Sequence, residues 1–401
     1  MVPRRLIVGA IIAASVPVIA SGASLDASIG RELFDRNWVP APSSTKSNDG
    51  LGPLYDAPSC AACHIRNPNA EIDEATVPPG TVVRLGNTKR TGDPIYGHQL
   101  QTRAVAGHAV EANPDITWTA TSTRRVASVR LFSQGYGPLA SDTKIGLRRS
   151  PSLFGVGLLA QIPDREILKR ADPYDSNLDG ISGRAARLTV GGKQVIGRFG
   201  WKATQPDLAA QTSMAFLSDM GLSTEAHPQP WGDCTPTQRV CLAGPHGAEA
   251  NGVEIPKSVV DLIVAYLTSL PAPAPVDAKP ADVAQGQRIF FTIGCALCHT
   301  SPVAANGQPV AAYTDLLLHD MGPGLNDGIG DGAAEPGEWR TAPLWNLGVS
   351  ARLTGLLHDG RAASVTEAIE WHEGEAAQVR LRFNGLTLDE KDALIAFVSR
   401  L

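Results

Sequence analysis

Cys60-Ala-Ala-Cys63-His64 and Cys295-Ala-Leu-Cys298-His299 are two copies of the pattern C-x-x-C-H, and the reading of the whole chain turns on them. At this spacing two thiols can add across the vinyl groups of a haem while the adjoining histidine offers its imidazole to the iron, all from one turn of backbone. The pattern predicts two covalently bound haem c groups, one on Cys60, Cys63 and His64, the other on Cys295, Cys298 and His299. Zinc knuckles or redox C-x-x-C centres are the alternatives. A zinc ribbon needs its cysteine pairs close enough to share one metal, and here each pair carries its own histidine.

Outward from the motifs, the two halves match. Gly30-Arg-Glu-Leu-Phe34 precedes the first motif and Gly286-Gln-Arg-Ile-Phe290 the second. Each half closes on apolar residues at helical spacing: Val259, Leu262, Ile263, Tyr266 and Leu267 in the first, Leu394, Ile395, Phe397, Val398 and Leu401 in the second. Thr387 with Glu390 predicts a capping box over the last helix. Arg149-Ser-Pro-Ser-Leu153 resembles Arg340-Thr-Ala-Pro-Leu344, a further sign of internal duplication. The expected fold is mainly α: two cytochrome c-like domains, the first enlarged by a long loop-rich insertion with short β-hairpins. Thr81 to Leu85 and Arg187 to Val190 read as strands of that insertion. The predicted boundaries are 1–23 for an export signal, 24–270 for the first haem domain, 271–280 for a proline-rich linker and 281–401 for the second haem domain.

The export signal is read from a basic head, Met1 to Arg5, an apolar run from Leu6 to Ala20, and the small residues Ser21-Gly22-Ala23. That run is short for a bilayer span, so no stable membrane span is expected after cleavage, and the destination is the periplasm. Cys234 and Cys241 lie outside the haem motifs. In an oxidising compartment they form a local disulfide, or else stay as two unpaired thiols. A net charge of -5 without a polybasic stretch argues against nucleic acid and leaves room for a small basic redox partner.

The residues resemble the di-haem oxidoreductase branch of the bacterial di-haem cytochrome c peroxidase superfamily, also labelled thiol oxidoreductase. The resemblance is carried by Tyr313-Thr-Asp-Leu-Leu-Leu-His319-Asp-Met-Gly322, Glu338-Trp-Arg-Thr-Ala-Pro-Leu344 and Leu357-His358-Asp-Gly360. In the first half Asp93-Pro-Ile-Tyr-Gly97, Gly197-Arg-Phe-Gly-Trp-Lys202 and Ala215-Phe-Leu-Ser-Asp-Met-Gly221 are similar. The thiol label finds no support, since both C-x-x-C pairs belong to haem motifs. The resemblance implies a second axial ligand for the C-terminal haem fourteen residues beyond His358, which is His372. Most of the superfamily's peroxidases carry Met there, and a His/His haem sits at lower potential than a His/Met haem. Met321 is the runner-up ligand, and His319 and His358 read as pocket contacts. For the N-terminal haem the resemblance implies a distal Gln and Glu, matched loosely by Gln161 and Glu166. His98 and His108 are candidate sixth ligands there, with Tyr96 and Arg103 as weaker pocket candidates.

Asp175-Ser-Asn177-Leu-Asp179-Gly180 opens like a calcium loop but lacks the closing Glu, so Asp175, Asn177 and Asp179 are either a truncated calcium site or a self-capping turn. The function expected is a periplasmic di-haem c oxidoreductase, peroxidase-like, passing electrons from the C-terminal haem to a peroxide-reactive N-terminal haem. A small donor protein such as a cytochrome c would supply the electrons, and hydrogen peroxide or a partner protein would be oxidant or substrate. Trp118 and Trp201 are the candidates for a residue between the haems. A non-catalytic electron-transfer cytochrome is the alternative, and cleavage of an organic substrate is a third.

Overall fold

The computed structural model describes residues 24–64, 80–121, 124–248, 252–275, 279–345 and 347–401. The export signal read over 1–23, all of 65–79 and part of the proline-rich segment lie outside the described residues. Among those described, about 31% are helical and 19% extended. Helix therefore outweighs strand without making the chain mainly α, and the strand is concentrated in the first half.

The first half opens with α1 (Leu25–Asp35), whose Ser24 side chain accepts from Ala27 N. Short strands β1 (Val39–Pro40), β2 (Asp49–Leu51) and β3 (Leu54–Tyr55) lead to the motif turn α2 (Cys60–Cys63). The insertion then builds β4 (Thr81–Gly86), β5 (Gln99–Leu100), β6 (Arg103–Ala104), β7 (Asn113–Ala120), β8 (Arg125–Phe132) and β9 (Lys144–Arg149). β4 pairs with both β5 and β9, and β7 and β8 form an antiparallel hairpin running from Asn113↔Phe132 to Ala120↔Arg125. After α3 (Val156–Ala160), α4 (Asp164–Leu168) and the hairpin β10 (Arg187–Val190) with β11 (Lys193–Ile196) come α5 (Leu208–Met220), α6 (Arg239–Leu242) and α7 (Lys257–Ser269). The second half runs from α8 (Pro280–Ile293) through β12 (Leu318–Asp320), β13 (Glu338–Arg340), α9 (Leu347–Leu353), α10 (Val365–Glu370) and α11 (Ala377–Asn384) to α12 (Leu388–Arg400). Proline opens α8, where its missing N–H leaves no intrahelical bond unmade. Thr387 and Glu390 do form the capping box on α12.

The duplication is visible in how each half closes. Gly30 of α1 crosses α7 so tightly that a Cβ would stand 1.9 Å from Leu262 O, and Gly286 of α8 crosses α12 with a Cβ 2.0 Å from Ala393 O. Four residues on, Phe34 packs edge-on against Tyr266 at 5.3 Å and Phe290 against Phe397 at 5.4 Å. The two apolar cores interlock across the proline-rich segment. The first draws Ala304, Val310, Leu316, Leu317 and Trp345 from beyond it, and the second packs against Trp201 from before it. Cys234 and Cys241 are joined by a disulfide. No helix among the described residues is long and apolar enough to cross a membrane.

Candidate haem sites

Both motifs fold as a single tight turn. The His64 amide donates to Cys60 O and the His299 amide to Cys295 O, each at 2.9 Å, which presents two thiols and an imidazole on the same side. The imidazoles are held alike: His64 Nδ1 lies 3.1 Å from Pro151 O and His299 Nδ1 2.9 Å from Tyr313 O. A carbonyl only accepts, so Nδ1 carries the proton in each ring and Nε2 keeps its lone pair. Burial pushes both imidazoles down to about 4, so both are neutral, as a metal ligand must be.

Behind each motif is a cavity. The one at Cys60, Cys63 and His64 holds about 460 Å³, and the one at Cys295, Cys298 and His299 about 280 Å³. All four motif thiols are free. The donor sets fit haem c: two thiols, a neutral imidazole and a largely apolar hollow. In the second cavity a further imidazole faces the first. His372 follows the end of α10 with Nδ1 2.8 Å from Ala368 O, and its ring centroid is 6.5 Å from that of His299. A metal about 2 Å from each of two imidazole nitrogens separates the ring centroids by roughly 6 Å. This spacing fits one iron between them. Met321, His319 and His358 line the same cavity. His319 is held by Asp315 on Nε2 at 3.0 Å and Glu375 on Nδ1 at 2.7 Å, and Cys298 Sγ, 3.8 Å away, completes a compact cluster. His358 stacks flat on Trp339, centroids 3.7 Å apart.

The first cavity is built differently. The ring against His64 is Phe34, at 6.2 Å. His98 is exposed at the rim, while His108 and Tyr96 do not line the cavity; Tyr96 is buried with its hydroxyl on Gly137 O. Arg103 is exposed on β6. Gln161 and Glu166, expected as the distal pair, are among the lining residues of neither cavity. Leu159 of α3, Ile162 of the link between the helices and Ile167 of α4 are buried, whereas Gln161, just past the end of α3, is exposed with its amide 3.3 Å from Gly157 O, and Glu166 on α4 is half-buried. The polar groups that do reach this cavity include Gln99 and Asp219. Gln99 Nε2 donates to Asp219 Oδ1 at 2.7 Å and to Asp56 Oδ2 at 3.0 Å. Burial raises Asp219 and pushes Asp56 up to about 7. The signal for this pair was in the sequence: Asp219 belongs to Ala215-Phe-Leu-Ser-Asp-Met-Gly221, and Gln99 stands two residues past Asp93-Pro-Ile-Tyr-Gly97.

Trp201 lines both cavities, its Nε1 donating to Arg149 O at 2.7 Å, and so do Arg149 and Arg340, the first residues of the repeated Arg-x-x-x-Leu pair. Trp118 sits on the β7–β8 hairpin under Arg125 and lines neither cavity. In the Asp175 loop the carboxylates are turned onto their own backbone: Asp175 on Gly180 N at 3.2 Å and Asp179 on Ile181 N at 2.9 Å, with Asn177 bonded to Asp179. These bonds close Asp175, Asn177 and Asp179 into a self-capped turn.

Two matched helical units, each with a C-x-x-C-H turn over its own cavity and with one tryptophan lining both cavities, define a di-haem redox protein. The chain belongs to the family described as "Di-haem oxidoreductase, putative peroxidase", which matches residues 126–401. It is thus an oxidoreductase of the di-haem kind. No curated protein matches it. Among solved structures it is similar to a MauG-like protein associated with microbial copper homeostasis, 16% identical over 91% of this chain and 92% of that one, with TM-score 0.35. It is also similar to hydrazine synthase of Kuenenia stuttgartiensis, 15% identical over 59% of this chain and 92% of that one, with TM-score 0.27. At these scores neither likeness bears on the argument.

Proposed function

We propose that the chain is an exported, periplasmic peroxidase of the di-haem c type, with haem attached at Cys60 and Cys63 under His64 and at Cys295 and Cys298 between His299 and His372. Haem bound in this way supplies one-electron transfer at both sites and peroxide chemistry wherever the iron keeps an accessible position. The observation that carries the reading is the asymmetry of the two cavities. In the second, the His372 ring faces His299 at 6.5 Å, whereas no second histidine ring is paired with His64 among the described residues and Gln99 and Asp219 are presented to the hollow of the first.

Reducing a peroxide to water consumes two protons and two electrons. Asp219, whose carboxyl burial raises, is the group placed to hold a proton beside this hollow, and Gln99 links it to Asp56, which burial pushes up to about 7. Trp201 is the residue placed to carry electrons between the cavities, from the C-terminal site fed by a small donor protein such as a cytochrome c. The test is a spin-state spectrum of the purified protein before and after stoichiometric hydrogen peroxide. One high-spin haem that reacts at once is the expected result. Two low-spin haems that ignore peroxide, even after partial reduction, would make the chain an electron carrier instead.

A further inference from the structure

α10 is six residues long, too short to hold its shape alone, and His372 stands just beyond its end. What aims this histidine must therefore come from tertiary contacts. Its own half supplies some. Arg361 lies over the Trp371 ring at 4.5 Å, and Arg380 reaches Glu370 O at 3.1 Å and Glu373 Oε1 at 3.2 Å.

The remainder comes from the first half, 249 positions back along the chain from Glu373. At the tip of the β7–β8 hairpin, Arg124 donates through Nη1 to Glu373 Oε1 at 2.8 Å and through Nη2 to Glu370 O at 2.5 Å. Its guanidinium also covers Trp371 at 4.6 Å, a ring only 4% exposed. Arg125 continues the contact: its amide donates to Glu367 Oε1 at 2.9 Å, its Nε to Arg361 O at 3.0 Å and its Nη2 to Gly360 O at 3.1 Å. The hairpin thus grips Trp371 and Glu373, the two neighbours of His372, as well as the loop after His358.

We propose that the β7–β8 hairpin is a positioning arm for the second iron ligand of the C-terminal haem, with Arg124 as its working residue. The proposal rests on the reading of His372 as that ligand. Its physical content is a competition: the contacts of the Arg124 guanidinium, with Glu370, Trp371 and Glu373, hold the residues on either side of His372 while it faces the cavity, and a ligand that displaces His372 must work against those contacts. A fork of charge-assisted hydrogen bonds is strong enough to matter. Removing it raises the apparent affinity of a competing ligand by about tenfold, since the competent fraction of the site grows by that factor.

The probe is cyanide, titrated into the ferric holoprotein and followed optically and by paramagnetic resonance. Four forms are compared: wild type, Arg124→Ala, Arg124→Lys and His372→Ala. Retention of two haems per chain and an unchanged N-terminal haem show that each variant has folded. Arg124→Ala is expected to tighten cyanide binding at the C-terminal haem about tenfold and to leave the N-terminal haem's affinity alone. Arg124→Lys keeps the charge over Trp371, loses the fork, and falls between. If Arg124→Ala loses haem, the lysine variant decides by the same criterion. Unchanged cyanide affinity in the arginine variants, alongside a high-spin haem in His372→Ala, would overturn the positioning arm and leave the ligand reading standing. Spectra of His372→Ala identical to wild type would remove the ligand reading, and the proposal with it.

Discussion

Asp56 is held by Thr102, whose amide and hydroxyl donate to Oδ1 at 3.0 and 2.8 Å, and by the Gln99 amide on Oδ2. Burial outweighs these bonds and pushes the carboxyl up to about 7 from an ordinary 3.8. Between those two values the unfolded chain has released a proton that the folded protein still holds. Stability therefore falls as pH rises from about 4 to about 7 and stays lower above that window. Asp56→Asn has no proton to lose there. It should flatten the slope, with a gain on the order of a few kcal/mol at pH 8 and none at pH 4, read from denaturant midpoints across that range. Parallel curves for the two proteins would remove Asp56 as the source. At this scale the motif residues were legible because C-x-x-C-H is contiguous in the chain. Where Gln161, just past α3, and Glu166, on α4, would face was not legible, because a glutamine and a glutamate near a matching stretch say nothing about which side of a short helix turns inward.

Among elements, the helix pairs that end each half are the firmest part of the fold. Gly286→Ala would bring a Cβ to 2.0 Å from Ala393 O and 2.7 Å from Phe397 Cβ, a clash that only a shift of α8 against α12 relieves. The expected loss is about 2 to 3 kcal/mol, measured by denaturant unfolding of protein that still carries two haems. A cost under about 0.5 kcal/mol, the size of an ordinary surface change, would show that the crossing is looser than drawn. Both helix pairs were readable from 3.6-residue periodicity and from the repeated Gly-x-x-x-Phe. The β7–β8 hairpin was not. Strand β8 exposes Val126 and Phe132, 48% and 44%, which blurs its alternation, and β7, although apolar and polar residues alternate along it, contains Pro114, which argues against a paired strand.

For the whole molecule, the decisive relation is the one between the two cavities. Trp201 touches both, whereas Trp118 lies on the hairpin away from them. Trp201→Phe should slow electron transfer from the C-terminal to the N-terminal haem by roughly tenfold, about 1.4 kcal/mol in barrier, while Trp118→Phe leaves the rate unchanged. Rapid mixing of half-reduced protein with peroxide reads both. Equal rates in all three proteins would take Trp201 out of the path.

By itself the sequence determined that there are two C-x-x-C-H motifs, one in each half of a duplicated chain, that each half is closed by a helix pair, and that the chain resembles the family to which it belongs. All of these are local or repeated patterns, written in contiguous residues. Tertiary structure alone decided that Gln99 and Asp219 reach the first cavity, that Trp201 spans the two sites, and that an arm of the first half grips the neighbours of His372. Those are meetings of residues far apart in the chain. They depend on how burial and helix crossing bring the segments together, and no local spacing encodes them.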